Sequence, residues 1–245
     1  MAQRIYPNAP ITEAIIDIRA RPVSEPSLEK LCEMQHGEEV RYPQKKKPIM
    51  FQFQVSDLQS EPKTSSSSSQ VGQTFVSGDG LDIFMARRDG LSVHRLKPYT
   101  YWARFREEAK RLWTSYKELI PPQAIEMLLV RNINQIEVSG GQELRDVLNL
   151  LPTIPPGLPQ QLGNFALTVD LGIDNGGRLI LNEGLITPTG PDKMRLLLDI
   201  TAYRQYSPDE SVDETTLWST LDQLRDAKDA AFEACITDYV RRNIS

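Results

Sequence analysis

The chain has 245 residues, 40% of them hydrophobic and 25% charged, the balance of a folded globular protein and not of a disordered one. A net charge of −5 and a pI near 5.2 argue against a nucleic-acid partner held by electrostatics, because phosphate binding needs a basic face. The opening MAQRIYPN has no apolar signal core and no run of 18 apolar residues occurs, so a cytoplasmic protein without a membrane partner is expected.

In chain order, residues 11–20 (ITEAIIDIRA) are short, β-branched and flanked by Pro10 and Pro22, which predicts a strand. Residues 24–35 space Leu28, Leu31 and Met34 for a short helix, with Ser24 or Ser27 as its cap. Residues 48–56 alternate Phe51, Phe53 and Val55 with Met50, Gln52 and Gln54, the pattern of a half-buried strand. Residues 57–73 carry five consecutive serines and predict a flexible loop. Three short strands are expected over 74–77, 81–87 and 91–96, with Gly78, Gly80 and Asp89-Gly90 as turns. Residues 101–120 then place Trp102, Phe105, Ala109, Leu112, Trp113, Tyr116 and Leu119 on one stripe of a long helix, stopped by Pro121-Pro122.

The order then recurs. A strand is predicted over 124–138, a short helix over 143–151, and a Pro-rich connector over 152–163. Strands follow at 164–173, 178–187 and 193–206, the first two joined over Asp174-Asn175-Gly176-Gly177. A second long helix over 215–243 closes the chain on Trp218, Leu221, Leu224, Ala231, Phe232, Cys235, Ile236 and Tyr239. The expected fold is α+β, with two tandem β-α-β(3)-α halves, 1–122 and 123–245. Each half would be an antiparallel sheet covered by its own long amphipathic helix, as in helix-grip or TBP-like arrangements.

The two segments differ in charge: residues 1–122 hold 18 Lys/Arg against 15 Asp/Glu, net +3, and residues 123–245 hold 10 against 18, net −8. Lys45, Lys46, Lys47, Arg87, Arg88, Arg104, Arg106, Lys110 and Arg111 would form a basic patch or an ordinary solvated surface. The split also permits self-association into a homo-oligomer. Cys32 and Cys235 sit among apolar neighbours and read as buried free thiols.

Motifs for chemistry are sparse. His36 and His94 have no metal-ligand spacing, and neither a phosphate loop nor a G-x-S-x-G turn occurs, so no cofactor or metal is expected. The strongest candidate is a polar strand face in the second segment, where Asn132, Asn134, Thr168, Asp170, Asp199, Thr201 and Tyr203 alternate with apolar residues. Such a face is either a ligand-binding concavity or a solvated sheet surface. Arg131 alternates with them beside Leu129 and Ile133, and on a buried side it requires a carboxylate such as Asp17 or Asp199.

Four blocks carry a resemblance: YPNAPITEAIIDIR (6–19), LKPYTYWARFREEAKRLWTSY (96–116), LLVRNINQIEV (128–138) and LRDAKDAAFEACITDYVR (224–241). In this order they resemble a sporadically distributed prokaryotic family without an established activity. Its members open on a PNPPIVEAV-like strand, carry an LRYINRI-like strand, and end a C-terminal helix in F-E-x-x-I-T. This chain departs from that pattern at Val130-Arg131-Asn132 and in its serine loop. Patchy distribution implies horizontally moved genes, of the defence or toxin–antitoxin kind, and assigns no residue a role. The leading expectation is a non-catalytic protein that binds a small ligand or a protein partner. The alternatives are a metal-dependent hydrolase or nuclease using Asp170 and Asp199, and nucleic-acid binding through the basic first segment.

Overall fold

The computed structural model describes residues 4, 6–46, 71–99, 101–139, 141–160, 164–190 and 192–245. The strand expected over 48–56 and the serine run lie outside them. Strand β1 (Ile11–Pro22) leads to helix α1 (Leu28–Cys32), where the Ser27 hydroxyl accepts from the Lys30 N–H at 3.2 Å, and a 3-10 turn, Glu33–Gln35, extends it. Strands β2 (Gln44–Lys46), β3 (Gly72–Val76), β4 (Asp82–Arg87) and β5 (Gly90–Leu96) form a meander. Helix α2 (Trp102–Leu119) ends before Pro121, and β6 (Pro122–Ser139) follows at once. Helix α3 (Leu144–Val147), strands β7 (Ala166–Ile173), β8 (Gly177–Ile186) and β9 (Lys193–Gln205), and helices α4 (Glu214–Cys235) and α5 (Asp238–Ile244) complete the chain.

The architecture corrects the two-half expectation. All nine described strands form one antiparallel sheet in the order β2-β3-β4-β5-β1-β6-β9-β8-β7. Its middle is the β1–β6 pair, which runs from Ile11 opposite Asn134 to Pro22 opposite Pro122 and fuses what the sequence presents as separate units. Every described helix delivers its buried apolar side chains to one cluster on one face of this sheet, around Ala14, Ile16, Ile18, Val130, Leu198 and Ile200. The halves therefore do not close separately. Each would leave a central strand edge unpaired, and pairing β1 with β6 removes both edges.

The two long helices also bind each other. Trp102 Nε1 donates to Asp222 Oδ1 (2.7 Å), Arg106 pairs with Asp222 (3.0 Å) and lies over the Trp218 ring (5.3 Å), and Lys117 pairs with Glu214 (2.6 Å). These contacts run α2 antiparallel to α4. Trp102 and Trp218, each near the start of its own helix, thus lie at one shared helix–helix seam.

The final helix expected over 215–243 is two helices. Asp213 caps α4 by accepting from the Thr216 N–H (2.7 Å). At the other end Ile236 takes an extended conformation (φ −92°, ψ 152°) and bridges Leu148 in antiparallel fashion. Asn149 Nδ2 donates to the carbonyls of Ala234 (2.9 Å) and Ile236 (2.8 Å), which satisfies the broken turn. The β7–β8 hairpin turns through Asn175 (φ 61°) and Gly176 (φ 73°), the left-handed pair that Asn-Gly favours. No described helix is long and apolar enough to cross a membrane.

Candidate functional site

Alternation along strands gives the sheet a second face, against which no described helix packs its buried apolar residues. Cross-strand register sets its side chains in rows. One row reads Glu13, Ile133, Asp199, Asn182, Thr168 across β1, β6, β9, β8 and β7. The next reads Ile83, His94, Ile15, Arg131, Thr201, Ile180, Asp170, and the third Met85, Ser92, Asp17, Leu129, Tyr203, Arg178.

Between these rows the polar groups are joined. Ser92 Oγ lies 2.9 Å from His94 Nε2, and His94 Nδ1 lies 2.7 Å from Glu13 Oε1. Arg131 feels the charge of Glu13 and grips Asp199 through Nε (2.7 Å) and Nη2 (2.6 Å). Asn182 Nδ2 reaches Asp199 Oδ2 at 3.5 Å, and Asn182 Oδ1 accepts from Thr168 Oγ1 at 2.9 Å. A belt of polar side chains thus spans six strands, from β5 to β7. Flanking it, Arg87 binds Asp17 through two bonds (2.6 and 2.8 Å), and Arg178 binds Asp170 likewise (3.0 and 2.6 Å).

The middle of the belt is withdrawn from water, the Asp199 side chain being 3% exposed and that of Arg131 18%, whereas Thr168 at its β7 end is exposed. Burial works against the Arg131 guanidinium, but its bonds to Asp199 outweigh it and raise its pKa further. Arg87 behaves in the same way, with burial opposed by Asp17. Both arginines are permanent charges held by bidentate carboxylates.

Of the sequence-derived candidates, Thr168, Asp170, Asp199, Thr201 and Tyr203 share this face. Asn132 and Asn134 do not. They lie on the helix-covered side, where Asn134 Nδ2 donates to Leu198 O (2.9 Å). In the amide orientation that satisfies both of its atoms, Asn132 accepts from Lys228 Nζ (2.8 Å) and donates to Arg131 O (2.9 Å). Lys228 belongs to α4, and burial pushes its pKa down. The alternation in β6 is as expected, but the faces are exchanged, because buried asparagines satisfied by carbonyls and a lysine look polar in sequence. Arg131 does find Asp199, one of its two expected partners. Glu13, Asp17, Ser92, His94, Arg178 and Asn182 join the site without having been singled out for it.

The geometry bears on two alternatives. Asp170 and Asp199 stand on strands separated by β8 and two residues out of register, about 12 Å apart by strand geometry, and each is already occupied by its own arginine. Four of the eight described residues of the basic patch are ion-paired: Arg87 binds Asp17, Arg88 pairs with Glu25, Arg106 with Asp222, and Arg111 with Glu38 and Glu108. Lys47 lies outside the described residues.

Ser92, His94 and Glu13 have the spacing of a nucleophile, base and orienting acid. Ser92 is only 2% exposed, however, and the Asp17 carboxylate directly across from it opposes any developing oxyanion. The backbone flanking Ser92 lies in strands paired on both sides, which commits it to the sheet ladder. The trio therefore orders the face. A separate cleft of about 260 Å³ lies between the end of α2, the start of β6 and the start of α4. It is lined by Trp113, Ile125 and Leu217 and carries one ion pair, Lys117–Glu214.

The fold and site define an α+β protein with a single antiparallel sheet, helices on one face and a charge-paired polar belt on the other. No protein-family model matches the chain, and comparison with curated proteins likewise gives no match.

Proposed function

We propose that the chain is a non-catalytic binding or interaction protein whose ligand or protein partner sits on the second face of the sheet. The observation that carries this reading is the belt from Ser92 to Thr168, whose donors and acceptors are held in register by six strands. A face prepared in this way offers both signs of charge at fixed spacing and loses little side-chain entropy on binding. Its chemistry fits a polar small molecule or a protein surface bearing both donors and acceptors. A partner encoded in a defence-type or mobile gene system is the setting suggested by the family resemblance.

A retained ligand stabilises the folded state by mass action. Protein isolated natively from cells that produce it is expected to melt higher than the same protein after unfolding, desalting and refolding. Replacing Tyr203 and Thr168 together by Ala should erase that difference. A difference that survives in the double variant would place the ligand elsewhere, and equal melting of both wild-type samples would oppose a retained ligand.

A further inference from the structure

The two edges of the sheet are built differently. Edge strand β2, described over Gln44–Lys46, carries Lys45 and Lys46, the kind of charge that discourages further pairing. Edge strand β7 is eight residues long, has neither Pro nor Lys, and pairs only with β8 among the described strands. Its register with β8 shows no bulge, and Leu171 on it is 43% exposed. An edge of this kind is a template for one more strand.

We propose that β7 pairs with β7 of a second copy of this chain, antiparallel about a two-fold axis through Val169. The sequence of β7 selects this register. Centred on Val169, seven residues pair: Ala166 with Gly172, Leu167 with Leu171, Thr168 with Asp170, and Val169 with itself. Leu171 is then covered by Leu167 of the other copy, and each Asp170 faces a Thr hydroxyl. Shifting the axis to Asp170 sets the two Asp170 carboxylates directly opposite each other, an unfavourable pair. Shifting it to Thr168 leaves only five β7 residues paired. The favoured register makes the two sheets one, with Thr168 and Asp170 of both copies side by side at the centre of a continuous polar face. This rests on the edge geometry and is independent of whether the face binds a ligand.

Edge pairing alone buries less than the roughly 1,600 Å² of a standard interface, so the dimer should form in a concentration-dependent manner. Analytical ultracentrifugation of the wild-type chain is expected to show twice the 27.8 kDa monomer mass growing with concentration. Leu171→Lys should raise the midpoint concentration by about tenfold, the effect of losing roughly 1.4 kcal/mol of apolar burial. The register is read by mild oxidation. Val169→Cys puts its thiol on the axis, within disulfide reach of its own copy, whereas Leu171→Cys thiols stand about 14 Å apart along the strands. Crosslinking above the wild-type level in Val169→Cys and not in Leu171→Cys supports the pairing. A monomer at every soluble concentration overturns it, as does equal crosslinking of the two cysteine variants.

Discussion

Arg131→Ala is expected to cost about 3–5 kcal/mol of folding stability, the largest single-residue effect on the polar face. Its guanidinium is the bidentate partner of Asp199, whose side chain is 3% exposed and whose other side-chain bond among the described residues is the 3.5 Å contact from Asn182. Removing the arginine strands a buried carboxylate and also deprives Glu13 of a nearby positive charge. Desolvation, and not a lost attraction, dominates that cost. The paired replacement Arg131→Met with Asp199→Leu should therefore recover most of the stability, because it removes both charges together. Urea denaturation of the single and double variants separates the two effects. A double variant as unstable as Arg131→Ala would show that the pair is worth more than its desolvation.

The second large effect concerns Glu183. It lies on β8 facing the helices, 1% exposed, with neither carboxyl oxygen finding a hydrogen-bond partner of good geometry among the described residues. Burial pushes its pKa up to about 7 from 4.5, and the adjacent Cys235 thiol is pushed up to about 12, by burial first and then by Glu183. The folded protein thus keeps a proton that the unfolded chain releases above pH 4.5. The contribution of Glu183 to stability is full below that pH, is lost as pH rises toward 7, and is constant beyond it, for a total loss of about 3 kcal/mol. Glu183→Gln should abolish this slope and exceed the wild type at pH 8 by about 1–3 kcal/mol. Denaturation at pH 5 and pH 8 reads it, and a parallel pH dependence in both proteins would refute the assignment.

Periodicity read the local elements well and their assembly poorly. The stripe Trp102, Phe105, Ala109, Leu112, Trp113 and Tyr116 is the buried face of α2, and every described strand except β2, which was not expected, lies within a few residues of where the sequence put it. Which strands become neighbours is a long-range choice. Pairing β1 with β6 is set by removing two edges, a global economy that leaves no local mark on Ile11–Pro22 or Pro122–Ser139. The break in the last helix is similar, since Ile236 and Thr237 look compatible with a continuing stripe until Leu148 and Asn149 arrive beside them.

The site was half visible for a related reason. Polar residues alternating with Ile200 and Ala202 mark a face, and Asp199, Thr201 and Tyr203 lie on it. The same rule misassigned Asn132 and Asn134, because period 2 says which residues share a side but not which side is covered. His94 was visible as a lone strand histidine, but its partner Glu13 is 81 positions away and only the β1–β5 pairing brings them together.

Whether the polar face holds a partner is read directly by native mass spectrometry of protein isolated from cells that produce it. The expected result is a species heavier than the bare chain or its dimer, lost when Tyr203 and Thr168 are replaced by Ala and retained when Ser219, on the outer side of α4, is replaced. Bare protein alone in the wild type, or an added mass indifferent to the Tyr203 and Thr168 replacements, would contradict it.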